Sequence, residues 1–201
     1  MENTIIKTKL FIDMDNTIVD TLPVLNAEND KPHLYQFKKP DQIPGIFRYL
    51  PPLPDAINSI YVLSQYYDMY ILSTAPWQNP SAWEDKISWL NDFFGNQPDS
   101  PFYKKIILTH QKNLNKIAGA ILLDDRPYHG AHDWDDPKLD SFWLQYGHDK
   151  ELVWSKNLVN FLIEVAKSNH DSIRDKIFSV NNNYHYSLHQ TDQTFKKESW
   201  E

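Results

Sequence analysis

The sequence predicts an α/β fold: a three-layer, Rossmann-like parallel sheet with a cap inserted after the first strand. Short apolar runs alternate along the chain with segments of helical periodicity, the pattern of a parallel sheet crossed by helices. The first run, Leu10 to Ile12, is apolar at consecutive positions, as in a strand buried on both faces. Between Ile18 and Pro52 nothing has the character of a core element, and so long a connection inside a compact domain is usually a lid or an insertion.

The elements follow in order. After the first strand and the cap, Pro54-Asp55 begins a helix with Ile57, Ile60 and Leu63 on one face, proline being favoured in a first turn. Met69 to Leu72 is the second strand. Trp83, Ile87, Leu90 and Phe94 recur at helical spacing, and Gly95 follows as a C-cap. Ile106 to Leu108, Ala120 to Leu123 and Phe142 to Leu144 supply three further strands, and Trp154, Leu158, Phe161, Leu162 and Val165 stripe a closing helix. Residues 168–201 lack glycine and proline, hold few aliphatics and contain an Asn181-Asn182-Asn183 run, so they read as a polar tail or peripheral helix outside the core. The expected division is a core of residues 1–17 and 53–167, a cap of 18–52 and a tail of 168–201.

Composition narrows the class of function. At 201 residues, 41% of them hydrophobic and 14% aromatic, the chain can bury one substantial core. Its net charge of -7 disfavours a nucleic-acid backbone or an anionic membrane as partner. The absence of cysteine excludes disulfides and thiolate metal sites. Met1 to Thr8 has no apolar signal region and no run of 18 apolar residues occurs, so a cytoplasmic location without membrane spans is expected. A homo-oligomer is compatible with these features.

Ligands of open parallel sheets bind beyond the carboxyl ends of the strands. Here those ends carry Asp13-Met14-Asp15, Ser73-Thr74, Thr109-His110-Gln111-Lys112 and Asp124-Asp125. Two acid pairs, a hydroxyl and a lysine are the parts needed to break a phosphate monoester through an aspartyl-phosphate. One carboxylate must attack phosphorus once Mg²⁺ and Lys112 have neutralised the phosphate, and a second must protonate the leaving oxygen and later activate water. Asp13 and Asp15 are positioned for these two tasks.

Asp13, Asp15 and Thr17 complete an Asp-x-Asp-x-Thr motif; Ser73-Thr74, Lys112 and Asp124-Asp125 follow in order. In this the chain resembles haloacid-dehalogenase (HAD) superfamily phosphatases. The longer strings 71–77, 107–114 and 123–127, with Pro44-Gly45-Ile46-Phe47, resemble the bacterial form of the 5'(3')-deoxyribonucleotidase family over about Phe11 to Ala166. The resemblance implies a HAD-like Rossmannoid core with a small helical cap over Ile18 to Pro52, and a Mg²⁺-dependent phosphatase of nucleoside or deoxynucleoside monophosphates. It implies Asp13 as nucleophile and Asp15 as general acid and base. Mg²⁺ would be held by Asp13, the Asp15 main-chain carbonyl and Asp124, with Asp125 in support. Thr74, or alternatively Ser73, and Lys112 would hold the phosphoryl oxygens, and Phe47 and Trp77 would face the base and sugar. Asp20-Thr21 departs from the family, which commonly has Asp followed by Phe there.

Other readings stand beside these. An EF-hand loop beginning at Asp13 would need an acid or amide at Thr17 and glycine at Ile18. His110 is either a phosphate-side or a solvated loop residue, and His129, His132, Asp133, Asp135 and Asp136 read as a polar crossover loop. The rival functions are phosphatase of another small phosphate ester and non-catalytic phosphate-ligand scaffold.

Overall fold

The computed structural model describes residues 7–29 and 37–191; stretches 30–36 of the expected cap and 192–201 of the expected tail, like residues 1–6, lie outside the described residues. Along the chain run β1 (Lys9–Ile12), α1 (Leu22–Asn29), α2 (Ala56–Leu63), β2 (Asp68–Ser73), α3 (Ser81–Phe94), β3 (Ile106–Leu108), β4 (Ile121–Asp124), β5 (Phe142–Gln145), α4 (Leu158–Lys167) and α5 (Ile173–Asn181). The five strands form one parallel sheet in the order β3-β2-β1-β4-β5. The chain steps from β1 outward to β3, then returns to the other side of β1 for β4. That reversal creates a crevice at the carboxyl ends of β1 and β4. Ile12 pairs with Leu123 and with Ile71, so Asp13 leaves the sheet beside Asp124 and close to Ser73.

Alternation of side chains divides the core in two. Leu10, Ile12, Met69, Ile71, Ile121, Leu123 and Leu144 pack with the buried faces of α2, α3, α4 and α5. Phe11, Leu72, Leu122 and Trp143 pack instead with Ala131 and Trp134. The layer on that second side is thin, built from the 3-10 turns Lys112–Asn115 and His132–Trp134 and their loops.

A narrow neck joins cap to core. Asn16 takes a left-handed backbone (φ 53°), and the amides of Thr17, Ile18 and Val19 all donate to the Met14 carbonyl. The Asp20 amide then donates to Pro51 and the Leu53 amide to Ile18, drawing outgoing and returning strands together. The cap contributes α1 and the 3-10 turn Pro40–Gln42, and is docked by Asn79 of the loop before α3. The fully buried Asn79 donates through Nδ2 to the carbonyls of Asp41 and Ile43, both at 2.9 Å. The Trp89 indole donates to the Leu50 carbonyl (2.7 Å) at the cap's far end.

Two expectations need correction. Ile87, expected on the buried stripe of α3, is 42% exposed; Ala82, Asp85, Lys86, Trp89 and Leu90 form the buried face instead. The apolar spacing misled because two charged residues occupy that stripe. Gly95 does cap the helix, at φ 77°. The polar segment after Lys167 was expected outside the core, yet Ile173, Ile177, Val180 and Leu188 join the main cluster. Four apolar residues suffice to bury one side of a short helix and the strap after it, however polar the remainder.

Candidate active site

Asp13 and Asp124 are 4% and 2% exposed, and Lys112, 3% exposed, lies between them. Its Nζ is 3.0 Å from Asp13 Oδ1 and 2.5 Å from Asp124 Oδ2. The lysine is aimed by its backbone: its amide donates to the His129 carbonyl (2.7 Å), and its own carbonyl accepts from the Trp134 indole (3.1 Å). Gly130 makes this packing possible. Its φ is +80°, and a Cβ there would come within 2.6 Å of Asn113 beside Lys112.

Asp125 follows Asp124 out of β4, and together with Asp13 these form, among the described residues, the group of acids able to hold a metal ion, with ligand oxygens within 4.8 Å of one another. Charge is unbalanced here. Burial, with Lys112 opposing it and Asp13 adding to it, raises the Asp124 carboxyl to about 6. Burial and the neighbouring Asp124 raise Asp125 to about 8. Asp13 differs: burial works against its charge, but Lys112 and Lys86 outweigh it and hold the carboxyl below its usual range. Burial likewise disfavours charged Lys112, and Asp124 and Asp13 overcome this to raise its proton affinity. The buried Asp125 Oδ1 has no hydrogen-bond partner, and two excess carboxylates beside an unpartnered oxygen fit a hard divalent cation that takes oxygen ligands.

Asp15 stands one turn further out. Its Oδ2 is 2.7 Å from Nζ of Lys86, and its Oδ1 lies 3.3 Å from the Thr21 hydroxyl. Lys86 is 1% exposed; it also donates to Ser73 Oγ at 3.1 Å and lies 5.3 Å from the Phe47 ring centre. Sequence reasoning passed over this lysine. The signal for it was available: a charged residue at a helix position whose neighbours at i+3 and i+4, Trp89 and Leu90, are core residues.

Of the two candidate hydroxyls, Thr74 lines the cavity and donates to the Thr109 carbonyl (2.9 Å). Ser73 is fully buried; its hydroxyl accepts from Lys86 and is hydrogen-bonded to the Asp13 carboxylate. Asp13, Asp15, Thr74, Lys112, Asp124, Phe47 and Trp77 all border one cavity of about 1070 Å³ between cap and sheet. Phe47 is 3% exposed and shared with the core, whereas Trp77 is 82% exposed at the rim. His110 belongs to the same wall: its Nε2 donates to the Ala75 carbonyl (2.8 Å), and its ring sits between Trp77 and Trp83. Further along, the acids of the crossover loop are paired, Asp133 with His132 and Asp136 with Lys116, both at 3.0 Å, and Asp135 with Arg174.

Fold and site together define an α/β phosphatase of the HAD type. Comparison with known proteins agrees: residues 16–134 match the family described as 5' nucleotidase, deoxy (pyrimidine), cytosolic type C. The chain belongs to this family and is a hydrolase. A protein of the Vibrio phage KVP40, provisionally named 5'(3')-deoxyribonucleotidase, is 39% identical over 125 residues, covering 62% of this chain and 70% of its own. One of the same provisional name from Staphylococcus aureus (strain Mu50) is 28% identical over 144 residues, 60% of this chain and 75% of the relative. Another from Acanthamoeba polyphaga mimivirus is 28% identical over 126 residues, 58% and 54% respectively. No described helix is long and apolar enough to cross a membrane.

Proposed function

We propose that the protein is a Mg²⁺-dependent phosphomonoesterase that hydrolyses nucleoside or deoxynucleoside monophosphates to nucleoside and phosphate through an aspartyl-phosphate on Asp13. The observation that carries this reading is the contrast among the clustered acids: Asp13 is held ionised by two lysines, while Asp124 and Asp125, despite Lys112 beside the one and Arg126 3.6 Å from the other, are raised by burial and by their neighbouring acids. An ionised carboxylate is the form that attacks phosphorus. The unbalanced pair is where Mg²⁺ would bind, with Asp13, Asp124, the Asp15 main-chain carbonyl and supporting Asp125 as its protein ligands. When bound, the ion supplies positive charge that screens the phosphate dianion.

The chain's own groups then divide the work. A carboxylate oxygen of Asp13 bonds to phosphorus as the ester P–O bond breaks, and the leaving oxygen takes a proton from Asp15, which enters this step protonated and leaves it as the carboxylate. A water molecule next gives a proton to Asp15 and attacks phosphorus; the bond to Asp13 breaks, releasing inorganic phosphate and restoring the enzyme. Lys112 and Thr74 border the phosphoryl position, and Lys86 with Thr21 fixes the Asp15 carboxylate. The cavity volume accommodates a nucleoside beyond the phosphate, with Phe47 and Trp77 as its apolar contacts. The provisional names of the relatives support a deoxyribonucleotide substrate, and activity on free nucleotides fits the cytoplasmic location expected from the sequence.

The test is phosphate release from a panel of nucleoside monophosphates and simple sugar phosphates, with and without Mg²⁺. Nucleotide turnover should require Mg²⁺ and fall at least about a thousandfold in Asp13→Asn. Trp77→Ala and Phe47→Ala should lose nucleotide turnover selectively; parallel loss on every substrate would favour another small phosphate ester. Failure of the wild type on the whole panel would refute the reading.

A further inference from the structure

The C-terminal segment beyond α4 reaches the acid loop through one side chain. Gln145 ends β5 opposite Asp124 and is 7% exposed. Its Nε2 donates to the Asp125 carbonyl (3.0 Å), while its Oε1 accepts from the Gln190 amide (2.9 Å) and its own amide donates to the Leu188 carbonyl (2.9 Å). The neighbouring Asp124 carbonyl is gripped from β5 as well, by the Trp143 indole (3.2 Å) and the Tyr146 amide (3.1 Å).

The far end of the segment is fastened to the crossover loop. The Asp140 carboxylate accepts from the Ser172 hydroxyl (2.7 Å) and from the amides of Ile173 (2.9 Å) and Arg174 (3.2 Å), and Arg174 pairs with Asp135. Leu188 is buried in the main cluster, and the His189 ring stacks on Trp143 with centroids 5.6 Å apart. The strap is therefore held at both ends and in the middle, with Gln145 as its contact to the acids.

We propose that Gln145 and residues 186–191 are a positioning device for Asp124 and Asp125, setting the affinity of the acid cluster for Mg²⁺. The proposal rests on the reading of those acids as the metal site. Its physical basis is the orphaned Asp125 Oδ1: three buried carboxylates repel one another, and the Asp125 side chain receives no donor at that oxygen to resist displacement. Its other oxygen, Oδ2, has the half-exposed Arg126 at 3.6 Å, and the shorter, buried restraint on this residue comes through its main-chain carbonyl, from Gln145. Groups that orient metal ligands without touching the metal typically control affinity by about 10- to 100-fold.

The test uses the full chain. Gln145→Met keeps volume and neutrality but removes all three side-chain bonds, and Gln190→Pro removes the strap's N–H together with the Gln190 side-chain oxygen that accepts from Gln145 Nε2 (3.4 Å), while leaving the bond to Asp125. Mg²⁺ affinity is read by calorimetry, and loop order by amide exchange in peptides covering 124–126 and, as a control, β1. Gln145→Met should weaken Mg²⁺ binding by about tenfold or more, with kcat largely restored at saturating Mg²⁺, and Gln190→Pro should shift it in the same direction. Exchange should quicken at 124–126 and not in β1. Mg²⁺ affinity within about twofold of wild type in Gln145→Met, or unchanged exchange at 124–126, would overturn the proposal. If Gln145→Met fails to fold, Gln190→Pro decides by the same two criteria. If wild type binds no Mg²⁺, the metal reading fails, and the exchange data alone decide whether the strap holds the loop.

Discussion

Lys86 shows how one residue couples the two acids of the first strand. It pairs with Asp15 at 2.7 Å, contributes to holding Asp13 ionised, and donates to the Ser73 hydroxyl. Lys86→Met should therefore lower kcat by about 100-fold, the scale of a general acid-base group that has lost its orientation. Stability should fall by less than the 3 to 5 kcal/mol typical of a broken buried pair, because Asp15 borders the cavity and can be hydrated. Steady-state kinetics and thermal unfolding check the two parts. The convergence of Asp13, Asp15, Lys112 and Asp124 was legible in the sequence because each lies at or shortly beyond a strand end, where one-dimensional order translates directly into proximity. Lys86 was not, since its role depends on which way α3 faces, and the charged Asp85-Lys86 pair disguised the buried stripe.

At the scale of elements, the cap is fixed to the loop that follows β2. Asn79 is the clasp, and it also accepts from Ser81, whose hydroxyl in turn accepts from the Gly45 amide. Asn79→Ala would strand the Asp41 carbonyl, at about 1 to 3 kcal/mol if left buried and unpaired, and leave the Ile43 carbonyl only the longer bond from the Ile46 amide (3.3 Å). The expected result is a loss of about 2 kcal/mol or more in chemical denaturation, together with a KM that rises more than kcat falls, because Phe47 and the Asp41 turn lose their seat above Thr74. A change in kcat alone would contradict this. The sequence announced an insertion by its length, but the clasp was illegible: an asparagine between two prolines-rich turns looks like any loop residue until its partners across the seam are known.

At the scale of the whole molecule, the segment after Lys167 is part of the folded unit. Ile177 is fully buried in the main cluster, so Ile177→Ala should cost about 2 to 5 kcal/mol, read as a lower urea midpoint at unchanged slope. A peripheral helix would lose no more than about 0.5 kcal/mol. The alternating strands and the parallel sheet could be read from hydrophobic patterning, which reports burial locally. The docking of α5 could not, because its apolar residues are few and gain meaning only against Phe142 and α4.

The Trp154 indole, buried before α4, donates to the Thr17 carbonyl at 2.5 Å across 137 residues of sequence. That bond ties the turn after Asp13 to a part of the chain synthesised much later, and β1 likewise waits for β4 as its second neighbour. Contacts of such separation form late and slowly. A ribosome-bound nascent chain with β1 to β3 already emerged therefore has Asp13 but neither the acids of β4 nor the support of Trp154. The acid cluster thus assembles only once β4 has docked against β1, and the brace from the Trp154 indole is added later still.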